Sequence, residues 1–143
     1  MTPTAAKTRR GHLLAAIHAH RCWLTGLGMA VQEGASWVDL DTVEPEAACE
    51  FGRYLAELAS RDGASQLPRY CQIREMHAGF HALAGRVLRL AQSGRQDQAR
   101  MLFEAELQTR GIALLAAMSA WVKEIESLLA GRPGQHIRSE TQP

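Results

Sequence analysis

Two histidines four residues apart, in the run His77-Ala78-Gly79-Phe80-His81, are the residues of this chain best placed to do chemistry. On a helix they lie one turn apart on one face, so both imidazoles can meet a single metal ion at the ~2.0–2.1 Å of a zinc–nitrogen bond. Such a pair alone is weak evidence, because buried histidines also occur at this spacing. Two features strengthen it. The pair shares a broad apolar face with Tyr70, Ile73, Phe80, Ala84 and Val87, where an imidazole nitrogen without a partner costs about 1–3 kcal/mol. A third histidine, His20, fills the gap in another apolar stripe formed by Leu13, Ile17, Leu24 and Leu27.

A fourth ligand has to come from the thiols or the remaining polar groups. Cys49 is the favoured candidate, early in the next helical segment beside Ala48 and one turn before Gly52, whose missing side chain leaves room for close approach. Cys71 is poorer, being six residues and so roughly 9 Å along the helix axis from His77. Cys22 stands about 200° round the helix from His20 and points away from it. Both read as small hydrophobes in the packing. His12, His18 and His136 read as solvent-facing and are assigned no role.

The elements that must position these groups are helical. In 143 residues, 46% are hydrophobic but only 6% aromatic, and Ala and Leu dominate the apolar set, which favours helix. Periodicity predicts four helices, from about Lys7 to Ala30, from near Pro45 to Arg61-Asp62-Gly63, from about Leu67-Pro68 to Gln92, and from about Gln96 to Leu129. The second carries Ala48, Phe51, Leu55 and Leu58 on one face. The fourth carries Phe103, Leu107, Leu114, Met118, Trp121, Ile125 and Leu128, with a slight bend expected at Gly111. Residues 31–44 read as a connection in which Trp37, Val38 and Leu40 tuck against the bundle, with room for a short extra helix. The predicted fold is an all-α, antiparallel four-helix bundle over residues 1–130, followed by a disordered polar tail over 131–143.

Bulk properties exclude other classes. Sixteen basic against 15 acidic residues leave a formal net charge of +1, which gives no reason to expect a nucleic-acid or membrane-surface partner. No run reaches the ~18 apolar residues of a transmembrane helix, and no signal peptide is read at the N-terminus. Three scattered cysteines argue against a disulfide framework and for a reducing cytoplasm.

Three blocks together, His20-Arg21-Cys22-Trp23, Cys49-Glu50-Phe51-Gly52-Arg53-Tyr54-Leu55 and His77-Ala78-Gly79-Phe80-His81, resemble the chemoreceptor zinc-binding (CZB) domain family. That family has His-x-x-Trp, a Cys-x-Leu-Gly-x-Trp-like block and His-x-x-Phe-His in this order, and Gln66-Leu67-Pro68-Arg69-Tyr70 is similar to its lead-in. Phe51 replaces Leu and Tyr54 replaces Trp, and the resemblance covers roughly residues 12 to 128. It implies one zinc held by His20, Cys49, His77 and His81, with Trp23, Phe51, Gly52, Tyr54 and Phe80 shaping the site. It further implies a zinc or oxidant sensor with Cys49 as the redox-sensitive ligand, a homodimer, and a signalling partner of the chemoreceptor or cyclic-di-GMP enzyme type. The chain departs from the family in lacking a signalling coiled coil or cyclase domain, so a free-standing module is expected. The rival expectation is a structural zinc staple in a protein-interaction bundle.

Catalysis is not expected. Three nitrogens and one thiolate fill a tetrahedron and leave no position for water. The general-base Glu of a His-Glu-x-x-His protease is replaced by Ala78. A di-iron bundle would need inward carboxylates that these helices do not offer.

Overall fold

The computed structural model describes residues 1–34, 38–61 and 63–131. Trp37 and the tail from 132 onward, His136 included, lie outside the described residues. Helix α1 spans Pro3–Glu33, several residues beyond each predicted end. Thr2 caps its start, accepting the Ala5 N–H at 3.0 Å, with Pro3 in the first turn where no N–H is needed. Gly34 ends it in the left-handed conformation, φ 95°. Helix α2 is short, Glu50–Ala59, and α3 spans Pro68–Gln92 with its expected boundaries. The fourth rod is built of α4 (Gln96–Leu102), a π-helical turn (Phe103–Leu107) and α5 (Gln108–Leu129).

These rods form a four-helix bundle. Long-range contacts set their directions. Arg10 near the start of α1 pairs with Glu126 near the end of α5 at 2.7 Å, and Gln96 at the start of α4 donates to the Val31 carbonyl near the end of α1. Arg69 at the start of α3 pairs with Glu124 of α5. Tyr70 of α3 donates to the Leu55 carbonyl in the second half of α2 at 2.8 Å. The fourth rod therefore runs antiparallel to α1 and to α3, and α2 antiparallel to α3. The core is aliphatic, with Leu13, Leu55, Leu58, Ile73, Leu88, Leu107, Leu114, Met118 and Ile125 fully or almost fully buried.

Several expectations are corrected. The second helix does not begin near Pro45: a 3-10 turn, Glu46–Ala48, comes first and Cys49 is extended (φ −95°, ψ 139°), so the α-helical ladder starts only at Glu50. Ala48, on that turn, is exposed instead of lying on the inner face. The irregularity of the fourth rod is the π-helical turn at 103–107, ahead of Gly111. Gly111 serves close packing, since a Cβ there would meet Leu24 at 2.9 Å and Phe80 at 3.2 Å. Leu128 is 65% exposed, and the inner stripe ends on Leu129. In the first connection, Leu40–Thr42 makes a 3-10 turn, and Val38 and Leu40 pack against the core as expected.

Candidate metal centre

Four side chains from three parts of the bundle meet at one point. His20 comes from α1, Cys49 from the residue that caps α2, and His77 and His81 from successive turns of α3. One ligand atom from each lies within 4.8 Å of every other. The Cys49 Sγ is 3.7 Å from the His20 Nε2 and 3.7 Å from the His77 Nε2, while the Nε2 atoms of His77 and His81 are 3.1 Å apart. The three histidines are buried, at 4%, 0% and 1% exposure in chain order, and Cys49 is partly buried.

The far side of each ring decides which nitrogen faces the centre. A backbone carbonyl only accepts, so the Nδ1–H of His20 donates to Ala16 at 2.8 Å and the Nδ1–H of His81 donates to Val43 at 2.6 Å. Both rings therefore present an unprotonated Nε2 inward. His77 completes a conflict. With its proton on Nδ1, two Nε2 lone pairs face each other at 3.1 Å; with the proton on Nε2, the buried Nδ1 lone pair has no donor and lies 3.7 Å from a Glu46 carboxylate oxygen. A cation at the centre removes the conflict by taking the inward lone pairs, and this cluster is capable of chelating a metal ion.

Electrostatics agree. Burial pushes the His77 pKa down to about 3, helped by the neighbouring rings of His81 and His20. Burial also lowers His20 and His81, against the opposing hydrogen bonds to Ala16 and Val43. The rings are thus neutral at physiological pH, the form that binds metal.

Aromatic rings wall the cluster. Phe51 stands edge-on to His20 and His77 (6.0 and 5.2 Å between centroids), Phe80 edge-on to His20 and His81 (5.9 and 5.8 Å), and Trp23 lies 5.4 Å from His81. Tyr54 is one layer out, packed on Phe51 and stacked on His12 at 4.0 Å. Gly52 has a strict steric reason: a Cβ there would lie 2.0 Å from the Glu46 carbonyl oxygen and 3.3 Å from the His77 ring. Cys22 and Cys71 are both exposed and outside the cluster, which corrects their reading as packed small hydrophobes. Cys22 faces His18 at 3.8 Å and Cys71 faces the Ser65 carbonyl at 3.3 Å.

Sequence reasoning missed the segment Val43–Cys49 as a unit. It carries the thiol, the carbonyl that orients His81 and the Glu46 carboxylate beside His77, and it is tied down by the Glu44–Arg89 ion pair and the Arg53 bond to the Ala47 carbonyl. Outside this strap, a cleft of about 530 Å³ between α1 and α2 reaches Cys49 and His20 past Ala15, Ala19 and Trp23. Among the described residues no helix is long and apolar enough to cross a membrane. No protein family, curated protein or solved structure matches the chain.

Proposed function

We propose that the chain is a zinc-binding sensory or regulatory module of the CZB type, holding one zinc through His20, Cys49, His77 and His81. The observation that carries this reading is the convergence of the four ligand atoms. A tetrahedral zinc with bonds of ~2.05 Å to nitrogen and ~2.3 Å to sulfur has N···N edges of about 3.3 Å and N···S edges of about 3.6 Å. The cluster offers 3.1 Å between His77 and His81 and 3.7 Å from Cys49 to each of His20 and His77. The donor set, three imidazoles and one thiolate, suits zinc better than the harder cations.

When bound, zinc supplies charge that holds the thiolate and a geometric centre that ties three elements together. The protein's own residues give the site its character. Three ligands are buried in rigid helices, whereas Cys49 is partly exposed, stands on the irregular strap and is reached by the α1–α2 cleft. It is therefore the ligand most open to change. Hydrogen peroxide attacked by the Cys49 thiolate has its O–O bond broken, one oxygen passing to sulfur as sulfenate and the other leaving as water, and the strap loses its anchor. Loss of zinc frees the same segment, so either signal reaches the packing of α1, α2 and α3. In this reading the module works as a homodimer in the cytoplasm and passes its state to a partner of the chemoreceptor or cyclic-di-GMP enzyme kind. Catalysis forms no part of it, because a filled tetrahedron has no place for substrate.

A structural staple is the second reading, favoured by the near-complete burial of the three histidines. Metal content of the purified protein by mass spectrometry tests the shared claim. About one zinc per chain is expected in wild type and Cys71→Ala, with loss in Cys49→Ala and His77→Ala. Zinc-free wild type, even after incubation with the metal, would overturn both readings. A sensor gives zinc up to a moderate chelator or mild oxidant with its helices intact; a staple keeps it until the bundle unfolds.

A further inference from the structure

Each metal-facing imidazole needs a partner behind it, and the three histidines are not treated alike. His20 and His81 turn their Nδ1–H groups to backbone carbonyls at 2.8 and 2.6 Å. His77, the most buried of the three, has none: its Nδ1 is fully enclosed and without a hydrogen bond. The Glu46 carboxylate faces it, with Oε1 at 3.7 Å, just beyond hydrogen-bond distance. That approach is built into the backbone. Gly52 lets the Glu46 carbonyl pass where a Cβ would sit 2.0 Å away, which presses the Glu46–Ala48 turn onto α2 directly over His77.

We propose that Glu46 is the positioning residue of the metal centre, its carboxylate accepting the Nδ1–H of His77 when the metal is held. The inference rests on the zinc reading above. A short rotation of the half-exposed Glu46 side chain closes the 3.7 Å gap. The contact fixes His77 in the tautomer that presents Nε2 inward and makes that nitrogen a stronger donor. It also balances charge. Zinc and one thiolate leave a net +1 among buried aromatic and aliphatic groups, and the Glu46 carboxylate brings the assembly to neutrality. Glu46 further borders a second cleft, about 670 Å³, on the side of the centre away from the α1–α2 opening. The carboxylate thus stands between His77 and water.

The test is competition for zinc between the full chain and a chromophoric chelator, paired with nitrogen-15 NMR of the histidine side chains. The variants are Glu46→Ala, Glu46→Gln and, as a control for lost charge nearby, Glu50→Ala. Glu46→Ala is expected to weaken zinc binding by about 10–100-fold and to abolish the protected Nδ1–H signal of His77. Glu46→Gln keeps an acceptor oxygen at the same reach, so it should restore the Nδ1–H signal and much of the affinity. Glu50→Ala should leave both at their wild-type values. Wild-type affinity and an unchanged His77 signal in Glu46→Ala, with zinc bound normally by the parent chain, would overturn the role of Glu46 alone. Failure of the parent chain to bind zinc would overturn it together with the metal reading.

Discussion

His77 and His81 turn the same atom, Nε2, toward the same point, and the 3.1 Å between those atoms is too close for two lone pairs with nothing between them. The chemistry of the site is contained in that contact. Without metal, the buried rings stay neutral because burial lowers all three pKa values, that of His77 to about 3 from an ordinary 6.5. Protons bind the unfolded histidines near pH 6.5 and the folded His77 only near pH 3, so unfolding takes up protons between those values. Stability of the metal-free protein should therefore be level above about pH 7 and decline on acidification, by up to about 1.4 kcal/mol per pH unit for each histidine. Urea unfolding of chelator-treated protein at pH 7.5, 6.5 and 5.5 measures this; stability that rises on acidification would contradict the burial of neutral rings. The thiols should separate equally clearly. Cys49→Ser should lose most of the metal, while Cys22→Ser and Cys71→Ser, whose sulfurs are exposed and outside the cluster, should retain it, as read by zinc content.

At the scale of elements, the strap from Val43 to Cys49 and the glycine beneath it decide whether the centre forms. A methyl group at Gly52 would collide with the Glu46 carbonyl at 2.0 Å, a backbone atom with no freedom to rotate away. Gly26, in the middle of α1, has nothing within 4 Å of the same added atom. Gly52→Ala should thus destabilise by about 1–3 kcal/mol and weaken metal binding, whereas Gly26→Ala should stabilise by about 0.5–1 kcal/mol through helix propensity. Denaturant midpoints of the two variants provide the comparison. The same contrast explains what could be read from sequence. The apolar stripe of α3 and its boundaries were legible because Pro68 opens the helix, Ser93-Gly94 closes it, and Tyr70, Ile73, His77, Phe80, Ala84, Val87 and Ala91 recur at threes and fours between them. The late start of α2 was not legible, because Pro45 with a following Glu-Ala-Ala has good helical credentials. What stops the helix there is tertiary: the turn has to deliver the Cys49 sulfur to His20 and His77. Glu46 was missed for the same reason, as one acidic residue near a helix start looks like an ordinary first-turn carboxylate. The π-helical turn at 103–107 likewise carries no Pro or Gly to announce it.

For the molecule as a whole, the His20/Cys49/His77/His81 cluster, capable of chelating a metal ion, lies where α1, the strap before α2, and α3 converge, while α4 and α5 complete the aliphatic core on the other side. The three histidines were legible because they interrupt apolar stripes on strongly periodic helices, whereas Cys49, on an irregular segment, was reached only by weighing it against Cys22 and Cys71. Binding at such a junction must stabilise the fold by linkage. Zinc at 100 times its dissociation constant should add about 2.7 kcal/mol, visible as a rise in thermal midpoint that vanishes in Cys49→Ala. An equal rise in that variant would place the metal elsewhere. X-ray absorption at the zinc edge of the loaded protein reads whether one tetrahedral zinc sits on three imidazoles and one thiolate. Four ligands are expected, three nitrogens at ~2.0–2.1 Å and one sulfur at ~2.3 Å, with the sulfur shell absent in Cys49→Ser. A first shell of oxygen, or a sulfur shell that survives loss of Cys49, would contradict it.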